Sequence, residues 1–124
     1  MTARPLLSGV AVLAAAAALS ACGGGAEAAT TAKVDIKAFD FQPDPLTVNK
    51  GTTVRFVNHD QIHHTATAGT RSKPKPGVFN VKLAAAKDAS TPSTGRFTFK
   101  KAGTYRYFCK FHPGAGMTAK VIVK

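Results

Sequence analysis

Apolar residues recur at every second position along much of this chain, in short runs that turn signals interrupt. "KVDIKAFDF" puts Val34 and Ile36 on one side, and "TTVRFVN" puts Val54 and Phe56 together. Alternation over four to eight residues marks a half-buried strand, because successive side chains of an extended chain point opposite ways. "QPDP" and "NKG" break the runs. "TATA" reads as another short strand, and "TAKVIVK" as the last one. "GRFTFKKAGTYRYFC" reads as a hairpin, with Phe97 and Phe99 before "KKAG" and Tyr105, Tyr107 and Cys109 after it. The pattern predicts an all-β sandwich built as a single domain. Two stretches fall outside the alternation. "GTRSKPKPG" (69–77) is basic and proline-rich and reads as a solvated loop, and "AAAKDASTPSTG" (84–95) has room for one helical turn before a loop.

Parity also places the second cysteine. Tyr105, Tyr107 and Cys109 share one face of their strand, and Arg106, Phe108 and Lys110 share the other. The charges on Arg106 and Lys110 mark that second face as the wet one. Cys109 therefore points inward at the very end of a strand.

The first 32 residues do not fit the alternation. "MTARP" carries one cation, and "LLSGVAVLAAAAALS" is a short run of small apolar residues, the form of a secretory signal. The run is shorter than the ~20 apolar residues a spanning helix needs. "LSAC" ends it and resembles a bacterial lipobox, which implies a signal peptide over 1–21 and a lipid on Cys22. Residues 22–32 then form a lipidated, flexible Gly/Ala/Thr tether, and the folded domain spans 33–124. The expected location is the extracytoplasmic face of the cell envelope.

Charge narrows the partners. Losing residues 1–21 removes one of 17 basic side chains and none of six acidic ones, leaving a net +10. That balance suits acidic proteins or an anionic lipid surface. No Arg/Lys run with interleaved aromatics supports nucleic-acid binding. With Cys22 committed to lipid, Cys109 is the only thiol of the domain. A lone thiol in an oxidising compartment is exposed to oxidation unless something holds it, and a metal could hold it.

"YFCKFHPGAGM" supplies the rest of a metal set. Cys109, His112 and Met117 stand in a Cys-x₂-His-x₄-Met pattern, and "PGAG" can turn the loop back on itself. Two histidines, one cysteine and a weak methionine are the ligands of a blue-copper site. The fourth donor would come from "NHDQIHHTAT", residues 58–67.

"CKFHPGAGM" followed by "TAKVIV" resembles the copper loop and last strand of plastocyanin and of cupredoxins generally. "NHDQIHHTAT" is similar to the family's upstream histidine element, and "PDPLTVNKGTTVRFVN" to its second-strand region. The resemblance covers nearly all of 33–124 and implies a Greek-key β-sandwich or barrel. It implies one copper ion, Cu(I)/Cu(II), held equatorially by His64, Cys109 and His112 and axially by Met117. His64 rather than His63 fits the family's register, with Thr65 opening the strand. Asn58 and Thr65 would support the ligands from behind, while His59 and His63 would be exposed or supporting groups. His112 would be the electron port, inside an apolar patch of Pro113, Gly114 and Ala115, with Phe111 a further addition. The implied function is one-electron transfer by a monomer that meets acidic redox proteins near His112.

Three departures from the family pattern stand out. Phe108 precedes Cys109 where plant members carry a tyrosine beside acidic patches. Thr65 stands where Asn often follows the first histidine, and Lys110 where Ser or Thr often follows the cysteine. The backbone N–H of Thr65 can reach the Cys109 sulfur, but the usual side-chain link is put in question. A copper-delivery protein is the competing function. Histidine-rich or methionine-rich tracts would favour it; beyond Met1 the only methionine is Met117, while His59, His63 and His64 leave it a small opening. An oxidase would need a second copper centre, and no further histidine cluster exists, so the chain is expected not to be an enzyme.

Overall fold

The computed structural model describes residues 30–124, so the signal, Cys22 and most of the tether lie outside the described residues. Nine strands follow in order: β1 (Thr31–Lys37), β2 (Asp40–Gln42), β3 (Leu46–Val48), β4 (Thr52–Asn58), β5 (His64–Ala68), β6 (Asn80–Leu83), β7 (Ser93–Phe99), β8 (Gly103–Phe108) and β9 (Thr118–Val123). They make two facing sheets, ordered β2-β1-β4-β7 and β3-β9-β8-β5-β6. β1 runs parallel to β4 and β3 parallel to β9, and the other pairings are antiparallel. The expected all-β sandwich is present. β1 begins at Thr31, so the last two residues of the expected tether already pair with β4.

The alternation reports the core correctly. Val34 and Ile36 on β1 and Val54 and Phe56 on β4 are fully buried from one sheet. Ala66, Leu83, Tyr107 and Val121 meet them from the other. Tyr107 packs edge-on against Phe41 and Phe56, with ring centroids 4.7 and 5.6 Å away. Such contacts each add ~0.5–1.5 kcal/mol beyond the area they bury. The Tyr107 hydroxyl is buried with no partner among the described residues. Burial, then the charges of Asp44 and Asp40, push its pKa well above the usual phenol range, so it stays neutral.

Four local expectations need correction. "KVDIKAFDF" is not one strand but the β1–β2 hairpin, with Lys37 paired to Asp40 across a two-residue turn. Ala38 and Phe39 form that turn with φ of 53° and 63°. Positive φ at both central residues is the type I′ geometry, which matches strand twist and ordinarily takes Asn-Gly. Second, β7 and β8 are not a hairpin. They lie in different sheets, and "KKA" carries the chain across the sandwich. Phe99 and Tyr105 remain in ring contact at 5.1 Å across that passage, which explains why both carry apolar parity. Third, 84–95 holds no helical turn. A bridge between Asp88 and Thr91 occupies its middle, and Ser93 already belongs to β7.

The fourth correction concerns the wet face of β8. Arg106 and Lys110 are exposed there as expected, but Phe108 is buried. The basic loop covers it, for the Arg71 guanidinium stands 5.4 Å from the Phe108 ring centre, a cation–π distance. The same side chain donates from Nη2 to the Cys109 carbonyl at 3.3 Å. The loop from residue 71 onward is exposed as expected, yet it is pinned at its root. The Gly69 N–H donates to the Arg106 carbonyl and the Lys75 N–H to that of Ala68. Gly69 has φ +99°, and a Cβ there would fall 2.5 Å from the Lys73 carbonyl oxygen, so only glycine fits.

Candidate metal centre

Three donors converge at one pole of the sandwich. A ring nitrogen of His64, the Cys109 sulfur and a ring nitrogen of His112 all lie within 4.8 Å of one another. His64 comes from the first residue of β5, and Cys109 from the residue after β8. His112 comes from the loop that returns the chain to β9. His64 and Cys109 are fully buried and His112 is half-buried.

His64 is fixed from behind. Its Nε2 lies 2.8 Å from the Asp60 carboxylate. An ionised carboxylate only accepts, so Nε2 carries the hydrogen and Nδ1 keeps its lone pair. Nδ1 faces the Cys109 sulfur at 3.7 Å. Burial lowers the His64 pKa against the pull of Asp60, and His112 lowers it further, so the ring is neutral and able to bind a metal. Burial pushes Asp60 up, but hydrogen bonds from the Phe39 and Ala38 N–H groups and from His64 outweigh it. Together they hold the carboxyl below its usual range.

Asn58 organises the segment between β4 and β5. It is wholly buried, and its Nδ2 donates to the carbonyls of Ile62 and Ala84 at 2.9 and 2.8 Å. Its Oδ1 accepts the Asp60 N–H at 2.9 Å. Three bonds from one amide thus set the path that delivers His64. His59 is used structurally, with Nε2 2.8 Å from Asp35. His63 is exposed, but its carbonyl accepts from His112 Nε2 at 2.9 Å. That bond leaves the lone pair of His112 on Nδ1.

Thr65 answers the question its sequence position raised. Its N–H donates to the Cys109 sulfur at 3.4 Å, as expected. Its hydroxyl also accepts the Lys110 N–H at 2.9 Å. The side-chain link therefore exists, but it runs to the backbone after the cysteine, where the identity of residue 110 does not matter. The single Thr67 hydroxyl proton is shared between Asn80 Oδ1 at 2.8 Å and Thr65 Oγ1 at 3.0 Å.

The downstream loop closes on itself. The Cys109 N–H donates to the Met117 carbonyl at 3.1 Å, and Met117 is buried. A short 3₁₀ turn over Pro113–Ala115 ends at Gly116, whose φ of 65° turns the chain back toward β9. Gly114 and Ala115 are exposed, and so are Phe111, Ile62 and Phe39 nearby in sequence or in ring contact. The Phe39 ring meets His64 edge-on at 5.3 Å and His112 at 5.0 Å.

The donor chemistry fits a soft ion such as copper. One thiol that ionises on binding and two neutral imidazoles, each with its second nitrogen already engaged, are the N/S set such ions select. Nitrogen and sulfur bonds to a metal run about 2.0–2.3 Å, and the 3.7 Å between His64 Nδ1 and the Cys109 sulfur already suits a shared ion. Sequence reasoning missed Asp60, Phe39 and Arg71. Asp60 had a faint signal, a carboxylate four residues before a candidate ligand. Phe39 had another, since it breaks the even parity of Val34 and Ile36. Arg71 had none.

The copper binding proteins of the plastocyanin/azurin family match residues 28–124. Plastocyanin of Chlamydomonas reinhardtii is 34% identical over 101 residues, covering 80% of this chain and 68% of its own length. Plastocyanin of Oryza sativa subsp. indica is 33% identical over 84 residues, and the chain spans 54% of its length. Plastocyanin of Scenedesmus fuscus is 30% identical over 92 residues, 92% of its length. Among solved structures, an oxidised point mutant of amicyanin superposes with a TM-score of 0.58 at 29% identity, over 76% of this chain and 82% of that one. A purple cupredoxin from Nitrosopumilus maritimus gives 0.61 at 25% identity, over 75% and 99%.

Proposed function

The chain belongs to the plastocyanin/azurin family of copper binding proteins, and from that premise we propose that it carries single electrons on one copper ion at the envelope surface. The carrying observation is the meeting of one buried thiol and two oriented imidazoles within 4.8 Å. His64, Cys109 and His112 would hold the ion, with Met117 from the same loop as the weaker fourth donor. Copper, when bound, supplies a one-electron couple whose two states prefer different geometries. The chain's part is to allow neither preference fully. Asp60 and Asn58 fix His64, the Thr65 N–H fixes the sulfur, and the Cys109–Met117 backbone bond fixes the loop. Donors held this way rearrange little, which keeps the barrier to transfer low.

His112 is the port for exchange. Its ring is half-buried, with exposed Phe111 before it, exposed Gly114 and Ala115 after it and Phe39 against it. A small apolar contact suits a short-lived encounter. The basic charge of the chain steers acidic redox proteins to it. The "LSAC" sequence supports a lipid on Cys22, with the domain held as a monomer on a tether outside the cytoplasmic membrane.

One preparation tests both parts. The full chain loaded with copper(II) should show an intense visible thiolate-to-copper band, and Cys109→Ser should abolish it. Cys22→Ser should move the protein from membranes to the soluble fraction without changing the band. A native copper(II) complex with no such band would end the electron-carrier reading, and a Cys22→Ser protein still in membranes would end the lipid anchor.

A further inference from the structure

Asp60 serves two groups that lie far apart in the sequence. Its Oδ2 accepts from His64 Nε2 at 2.8 Å and from the Phe39 N–H at 3.0 Å, and its Oδ1 accepts from the Ala38 N–H at 2.8 Å. The two backbone donors are the central residues of the β1–β2 turn, 22 and 21 positions before Asp60. Its own backbone is held as well, the N–H by Asn58 and the carbonyl by the Ala86 N–H at 2.8 Å.

The turn explains why such a clamp is needed. Ala38 and Phe39 both occupy the left-handed region, which strains a residue other than glycine. Asn-Gly would relieve that strain. A phenylalanine there has a use that glycine could not serve. Its ring spans His64 and His112 edge-on, at 5.3 and 5.0 Å, although it remains 40% exposed. It therefore caps both histidine rings of the donor cluster from the solvent side.

We propose that Asp60 is a positioning residue that couples the first ligand to this cap: one carboxylate sets the tautomer and orientation of His64 and holds the strained turn that lays Phe39 across both histidine rings. The inference rests on the copper reading for its effect on the bound ion, but its structural half applies to the metal-free protein. The demand on the side chain is strict, for three donors point at it and a group with two acceptor oxygens is required. An asparagine offers one oxygen, and its amide N–H₂ must face a donor. Loss of the carboxylate also removes negative charge from behind an imidazole ligand, which disfavours the more highly charged copper(II).

The test compares the native chain with Asp60→Asn, with and without copper. In the metal-free protein, nitrogen-detected NMR should find native His64 almost wholly protonated on Nε2. It should find a tautomer mixture in the variant, together with at least tenfold faster amide exchange at Ala38 and Phe39. With copper, the variant should lose about tenfold more copper(II) than copper(I) affinity, which raises the reduction potential by about 59 mV. A second variant, Asp60→Asn in an Ala38→Asn/Phe39→Gly background, carries a turn that needs no clamp and keeps the question answerable if the single variant fails to fold. There the exchange difference should vanish and the tautomer mixture and potential shift should persist. An unchanged His64 tautomer, or an unchanged potential, in either folded variant overturns the proposal. Failure of the native protein to show the thiolate band would instead sink the electron-carrier reading, and the metal-free measurements would still judge the clamp.

Discussion

The two segments that bring histidines to the site are built in opposite ways. The upstream one, residues 58–65, is held by side chains: Asn58, Asp60 and Thr65 direct six hydrogen-bonding contacts to backbone groups, each from a buried or half-buried position. The downstream one, residues 109–117, closes on itself through backbone, by the Cys109–Met117 and Ala115–His112 bonds and the positive φ of Gly116. Its side-chain bonds reach it from Arg71 and Thr65 outside or run out from His112. His64 ends up fully buried and His112 half-buried. The contrast leaves the upstream segment the better fixed and the downstream loop the more exposed of the two.

The sharpest way to break this contrast is to delete each ring and offer a replacement. His64→Gly and His112→Gly should both lose the thiolate–copper(II) band. Added imidazole should restore it in the His112 variant, whose gap opens to solvent, and should fail in the His64 variant, whose gap lies under Phe39 and Asp60. Equal rescue in the two would mean that burial does not separate them. A smaller effect is expected on stability. Asn58→Ala strands two carbonyls and one N–H inside the protein and should cost about 2–4 kcal/mol in the metal-free protein. Phe111→Ala in the downstream loop should cost no more than about 0.5 kcal/mol, because that side chain is 57% exposed. Urea titrations that gave similar losses would contradict the division of labour.

The smallest expected effect is on acid sensitivity, again through the upstream segment. The pKa of His64 is lower folded than the ordinary 6.5, chiefly through burial. The unfolded chain then binds a proton below 6.5 that the folded chain refuses. Stability from this group is complete above that pH and falls as the pH drops toward the folded value. Asp60, also lowered, adds a second loss that begins below 3.8. Denaturation of metal-free protein at about pH 7.5 and about pH 5.5 should show the first loss, and His64→Gln should flatten it. A profile that the substitution leaves unchanged would show that another group titrates.

How much of this the sequence disclosed depends on the range of the interactions. Alternation identified the core faces of β1, β4 and β8, because period two is a property of one strand at a time. Cys109, His112 and Met117 lie within nine residues, so their convergence needs only a tight loop. What stayed hidden was decided between segments. "KKAG" bends the chain whether its flanking strands pair or part, and here they enter different sheets. The burial of Phe108 depends on Arg71, 37 positions earlier, which no local pattern announces. Ala38 and Phe39 lack the residue types that advertise an I′ turn, since their conformation is held by Asp60 from another loop. The position of Thr65 looked like a defect only because the sequence does not say that a hydroxyl can reach the next residue's main chain.

The parallel pairing of β1 with β4 fixes which end of the molecule is the foot. Thr31 lies beside Thr53, and Ile36 beside Asn58, which leads into Asp60 and His64. The chain thus rises from one end of the sandwich to the other along β1, about 20 Å at a strand's usual advance. The lipid anchor proposed above would therefore grip the end remote from His64, and the metal-bearing tip would stand outward like a lantern on a post.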